Sequence, residues 1–152
     1  MTRTLTRAWE EILRPLLLRP NRLQVAALCY RQGAVGKEVL MITSLGTGRW
    51  IIPKGWPITG KDGPGSALQE AWEEAGVARA DISPEPIGEY FYHKRRDNGT
   101  GEPVTTLVFS AEVLELADDY PEAGSRKREW MAPEQAAELV HEPQLQAILR
   151  QL

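Results

Sequence analysis

The 152-residue chain has a single cysteine, Cys29, so it cannot close a disulfide within itself, which fits a reducing, cytoplasmic setting. It has no apolar run near the ~20 residues that a membrane-spanning helix needs. Nor does it carry a strong excess of either charge: 18 Lys+Arg stand against 21 Asp+Glu, a net of -3. That balance excludes binding to nucleic acid through bulk positive charge, while leaving room for a local basic patch. Internal repeats and low-complexity stretches are absent too. What remains is a chain of about one domain, 42% apolar and long enough to bury a core.

Residues 1–20 read as a helical extension ahead of a domain over 21–152. Leu5, Trp9, Ile12 and Leu13 recur at helical spacing, whereas Glu10, Glu11 and Pro15 break what would otherwise pass for a targeting segment. Residues 23–30 and 38–44 are apolar and β-prone, with a Gly- and Lys-bearing hairpin loop between them. Trp50-Ile51-Ile52 is a third short strand, stopped by Pro53, and a glycine- and proline-rich loop follows over 54–65. The next helix is expected over 64–75. Asp62 precedes Pro64, Ser66 and Gln69 have capping-box spacing, and Gly76 suits the left-handed residue that ends many helices.

Strands are expected over 86–93 and 104–116, joined by a polar turn containing Asp97-Asn98-Gly99, with another around Trp130. The tail from Pro133 is helical and divided by Pro143. Strands and a few helices without regular βαβ alternation predict an α/β (α+β) sandwich with a mixed sheet.

The chemistry concentrates on the helix over 64–75. Glu70, Glu73 and Glu74 lie at i, i+3 and i+4 and share a face, while Leu68, Ala71, Trp72 and Ala75 fall opposite as an apolar stripe. Two like charges ~5.5 Å apart repel by roughly 3 kcal/mol at an effective dielectric near 20, and by under about 1 kcal/mol in bulk water. Such a cluster is therefore either a solvated face or, in a cleft, a site for a cation. An all-oxygen set suits Mg²⁺ or Mn²⁺. Gly55-x4-Gly60-Lys61 nearly matches a phosphate-binding loop, but Asp62 stands where that loop needs a hydroxyl, and Pro57 and Pro64 fit a tight backbone cradle poorly.

The stretch from Gly55 to Val77 resembles the Nudix hydrolase signature, Gly-x5-Glu-x7-Arg-Glu-U-x-Glu-Glu-x-Gly-U with U apolar. Gly55, Glu70, Ala71, Glu73, Glu74, Gly76 and Val77 match in register. Lys61 and Gln69 replace the Glu and Arg that commonly pair in the family to brace loop against helix. Arg49-Trp50-Ile51-Ile52-Pro53-Lys54-Gly55 and Arg126-Lys127-Arg128-Glu129-Trp130 are similar to the subgroup acting on diphosphoinositol polyphosphates and dinucleoside polyphosphates. Gln24 and Leu45 stand where that subgroup tends to be cationic, and Glu142 where a lysine would help, which favours a smaller, nucleotide-type substrate.

The resemblance implies a Nudix-type α/β/α sandwich and Mg²⁺- or Mn²⁺-dependent hydrolysis of a phosphoanhydride in a small molecule, a dinucleoside polyphosphate foremost. Glu70, Glu73 and Glu74 would hold the metal. A carboxylate of Glu73, Glu74 or the loop residue Glu122, with Glu129 as a second loop candidate, would take the proton of the attacking water. Arg49, Lys54, Gly55, Lys94, Arg95, Arg126 and Lys127 would meet phosphates, although 94–96 and 126–128 read equally well as solvated segments. Trp56 either stacks on a base or caps the core, His93 reads as a polar strand-end residue, and Cys29 reads as inert. The alternative is a non-catalytic Nudix domain that binds a nucleotide or partner as a sensor.

Overall fold

A computed structural model describes residues 22–95 and 99–152. The expected N-terminal helix over 1–20, and Asp97 and Asn98 of the expected turn, lie outside the described residues. The centre of the sheet is a parallel pair, β1 (Arg22–Gln32) with β7 (Gly101–Leu116), in register from Arg22 against Val104 to Tyr30 against Glu112. The other pairings are antiparallel. β2 (Lys37–Thr43) and β4 (Lys54–Gly55) add to β1, and β3 (Trp50–Ile51) and β8 (Arg128–Met131) add to β2. β5 (Val77–Ile82) and β6 (Gly88–Arg95) run along successive parts of β7.

Side chains alternate across a strand, so β1 feeds two cores. Val25, Ala27 and Cys29 pack with Ala67, Ala71 and Ala75 of α1 (Gly63–Ala75). Ala26 and Leu28 pack with Ala136 and Ala137 of α2 (Pro133–Leu139), and with Leu145 and Leu149 of α3 (Pro143–Arg150). With both faces covered, β1 is buried without a break from Gln24 to Cys29, as a central strand must be. This is the α/β/α sandwich that the sequence predicts. Cys29 is fully buried and its thiol is pushed up to about 12 by burial alone, in keeping with an inert residue. Among the described residues, no helix is long and apolar enough to cross a membrane.

Three local expectations are corrected. β5 falls where no strand was expected, because Arg79 and Asp81 are exposed and two register shifts break its alternation. The glycine- and proline-rich loop contains the two-residue β4, which hydrogen-bonds it to β1. The capping box does not form. Asp62 is the N-cap, its carboxylate accepting from the Gly65 amide at 2.7 Å, while Ser66 is buried inside the helix and Gln69 donates to Glu73. The far end of α1 follows expectation: Gly76 is left-handed at φ 72 and donates to Trp72. A β-carbon there would also meet Tyr120 and Arg128 at 2.5–2.7 Å.

Candidate active site

The buried stripe of α1 is Ala67, Ala71 and Ala75, with Leu68 and Trp72 only partly buried, so the helix is rotated from the orientation expected of it. The rotation sets a second row, Ser66, Glu70 and Glu74, at i, i+4 and i+8 against the segment from Lys54 to Ile58. The Ile58 amide donates to Ser66 Oγ at 2.9 Å, and the Lys54 amide donates to Glu74 Oε1 at 3.2 Å. Between them the Glu70 carboxyl lies so close to Gly55 that a β-carbon there would fall 2.3 Å from Glu70 Cδ. Loop and helix are thus laced together in antiparallel order, 58 to 66, 55 to 70 and 54 to 74. The Ser66 hydroxyl performs the bracing for which Lys61 and Gln69 lack the usual chemistry. A four-residue spacing of Ser66, Glu70 and Glu74 is visible in the sequence, but the i, i+3, i+4 reading passed over Ser66.

Glu74 is 6% exposed, and burial raises its proton affinity against the opposing pull of Arg126 and the Lys54 amide. Glu70 is pushed up to about 7, first by burial and then by the charges of Glu74, Glu73 and Glu122. Glu73 accepts from Gln69 at 3.1 Å, and its backbone carbonyl accepts from the Glu122 amide at 3.0 Å. The structure therefore brings Glu122, from the loop after β7, to the same end of α1 as Glu70, Glu73 and Glu74. Glu129 is exposed on β8.

The expected phosphate-contacting residues divide into two groups. Arg126 is turned inward, 9% exposed, with Nη2 3.1 Å from Glu122 and 3.5 Å from Glu74, and Nη1 donating to the Thr43 carbonyl at 3.1 Å. Lys127 holds β2 through its backbone, its amide donating to Thr43 Oγ1, and the residue is exposed. Arg49 pairs with the buried Glu142 at 2.7 Å. Lys54 lies over the Tyr92 ring at 5.2 Å and is pulled down to about 8, first by burial. Its further influences include Glu74, Arg49, Glu142 and Lys94, so a single polar region joins the carboxylates to these cations.

Around that region Tyr92 donates a short hydrogen bond to Gln24, and the Arg22 guanidinium lies 4.0 Å from the Trp56 ring centroid. Lys94 Nζ is 5.5 Å from the same ring, and Arg95 ends β6. Trp56 thus carries cations on its ring. The exposed His93 lies within β6, which runs two residues past the strand end expected at it.

A Nudix-domain family description matches residues 20–152. The chain belongs to the Nudix family. Among Nudix relatives, the Mus musculus diphosphoinositol polyphosphate phosphohydrolase 3-alpha is 31% identical over 124 residues, which span 79% of this chain and 71% of the relative. A C. elegans Ap4A hydrolase structure aligns with a TM-score of 0.67 at 22% identity, covering 86% of this chain and 95% of that one. The Nudix domain of Shewanella oneidensis NrtR, solved with ADP ribose, aligns at 0.63 and 17% identity over 95% and 97% of the two chains. At those identities the two structures speak for the fold alone. With the family match and relatives named as phosphohydrolases, the chain is a Nudix phosphohydrolase.

In donor chemistry the α1 cluster fits the divalent metal that such a fold implies. Its groups are carboxylate oxygens, burial and then their mutual repulsion raise the proton affinity of Glu70, and Gly55 leaves room for Glu70 beside the loop. As the side chains stand, no three His, Cys, Asp or Glu groups among the described residues converge to hold an ion. Arg126 is drawn between Glu74 and Glu122, and Gln69 holds Glu73.

Proposed function

We propose that the chain hydrolyses a phosphoanhydride bond, with Mg²⁺ or Mn²⁺, in a nucleoside-diphosphate-linked or polyphosphorylated small molecule, a dinucleoside polyphosphate foremost. The observation that carries this reading is the row of Ser66, Glu70 and Glu74 laced onto the segment from Lys54 to Ile58, with Glu122 delivered to the same helix end. It places carboxylates beside a cationic region instead of spreading them over a solvated face.

Glu70, Glu73 and Glu74 would hold the metal, which when bound supplies polarisation of a phosphoryl oxygen and a more acidic water. Glu73, Glu74 or Glu122 takes the water's proton, and of these Glu122, at 29% side-chain exposure, is more open to solvent than the buried Glu74. Arg49, Lys54, Lys94, Arg95 and Lys127, with the backbone at Gly55, orient the phosphates as charge-assisted donors. Arg49 reaches the site already paired with Glu142, so the region presents less positive charge than its count of basic residues implies. This supports a substrate with a short phosphate chain over a heavily phosphorylated inositol. The sensor alternative drew its support from Lys61 and Gln69, and the Ser66 contact keeps the loop on the helix without their usual pair.

The test is product release with Mg²⁺ across dinucleoside polyphosphates, ADP-ribose, nucleoside triphosphates and inositol pyrophosphates. Dinucleoside polyphosphates are expected to be cleaved with the highest kcat/KM. Absence of turnover on all four classes, with ligand-dependent thermal stabilisation, would favour the sensor.

A further inference from the structure

We propose that Arg126, anchored by Glu122, is a built-in counter-cation of the carboxylate cluster, a positioning residue that competes with the divalent ion for Glu74 and so sets how tightly the ion is held. The inference rests on the metal reading above and assigns Arg126 a task other than phosphate contact. The guanidinium is 9% exposed and fixed from three parts of the fold: Glu74 on α1, Glu122 on the loop after β7 and the Thr43 carbonyl on β2. Both Nε and Nη2 reach Glu122 Oε1, at 3.3 and 3.1 Å. Arginine keeps its charge at any working pH and has a rigid set of five donors, so it can serve several acceptors at once.

The contacts are unequal. The 3.1 Å approach to Glu122 is a hydrogen bond, whereas the 3.5 Å approach to Glu74 is an ion pair at longer range. Glu74 Oε1 accepts from the Lys54 amide, and Oε2 is the oxygen facing Arg126. An ion seeking Glu74 must therefore meet Oε2 where Arg126 now lies, or share Oε1 with the loop amide. Two positions on, Arg128 differs. Its Nη1 donates to the Ala75 and Ala117 carbonyls at 2.9 and 2.7 Å, closing the end of α1 without touching the α1 carboxylates. The two arginines divide the work: Arg128 holds the helix end, and Arg126 balances its charge.

A resident cation stabilises the metal-free protein, because carboxylates gathered without one repel. It also opposes metal binding, since Glu74 Oε2, which faces Arg126, must be released or shared. A residue acting only as a structural prop has no reason to weaken metal binding.

The experiment uses the full chain, with Mn²⁺ as the probe, followed by titration calorimetry and by thermal melting in chelator and in Mn²⁺. Arg126→Gln is expected to melt lower than wild type in chelator, to bind Mn²⁺ about tenfold more tightly, and to gain more in melting temperature from Mn²⁺. Arg126→Lys keeps the charge and loses the fork, so it is expected to fall between the two in Mn²⁺ affinity, and it serves if the glutamine variant does not fold. Equal or weaker Mn²⁺ binding by the variants, with wild type binding normally, overturns the counter-cation role and leaves the metal reading standing. No Mn²⁺ uptake by wild type overturns both.

Discussion

Glu74 and Glu142 are buried alike, each 6% exposed and each facing an arginine, yet they stand in different electrostatic situations. Glu142 has Arg49 at 2.7 Å and occupies the N-cap position of α3, where the helix dipole favours a negative charge. Glu74 has Arg126 only at 3.5 Å, shares it with Glu122, and lies among other carboxylates. Burial raises Glu74's proton affinity in spite of that partner. Degree of burial therefore says little about what a buried carboxylate is for. The closely matched pair ties the start of α3 to the segment before β3, while the under-compensated carboxylate is left with affinity for a further cation.

The strongest challenge to this contrast is Glu74→Gln against Glu142→Gln. Removing Glu74's charge is expected to lower turnover by about 10²–10⁴-fold with no loss of melting temperature, whereas Glu142→Gln should lower melting temperature and reduce turnover far less. A Glu74→Gln protein that turns over like wild type, or that unfolds more readily than Glu142→Gln, would erase the distinction. Next, Arg49→Met leaves Glu142 buried without a partner and should cost about 3 kcal/mol in urea unfolding, most of it regained when Glu142→Leu is added. If the double variant is no more stable than Arg49→Met, the pair is not acting as a unit.

Gly55→Ala probes the carboxylate side without changing a charge. Its β-carbon would overlap the Glu70 carboxyl, and displacing that group by about 1 Å should cost on the order of 10² in kcat while leaving urea unfolding little changed.

Cys29 supplies a reference, since it is fully buried and has no charged partner among the shifts that move it. The folded thiol ionises only near 12, so the unfolded chain loses its proton first as pH rises past about 9. Folded-state stability should then fall by about 1.4 kcal/mol per pH unit from that group, and native protein at pH 8 should resist thiol alkylation until it unfolds. Rapid labelling of native protein would place Cys29 outside the core.

The sequence showed what local rules govern and hid what distant partners decide. The carboxylates of α1, its Gly76 stop and the two-sided burial of β1 follow from spacing and apolar runs. β5 escaped because Arg79 and Asp81 obey its place beside β7 more than any period of their own. Ser66 was misassigned because capping-box spacing does not reveal that Ile58 would come to claim its hydroxyl. The approach of Arg126 to Glu74 and the pairing of Arg49 with Glu142 join residues 52 and 93 positions apart, which no short-range pattern encodes.

The parallel pairing of β1 with β7 also sets a timetable for synthesis. Arg22 waits for Val104 and Tyr30 for Glu112, so a nascent chain of a hundred residues has made all of α1 but cannot close the middle of its sheet. Long-range parallel contacts form late for this reason. Glu122 and Arg126 emerge later still, and the carboxylates of α1 therefore lack their arginine until most of the chain has been delivered.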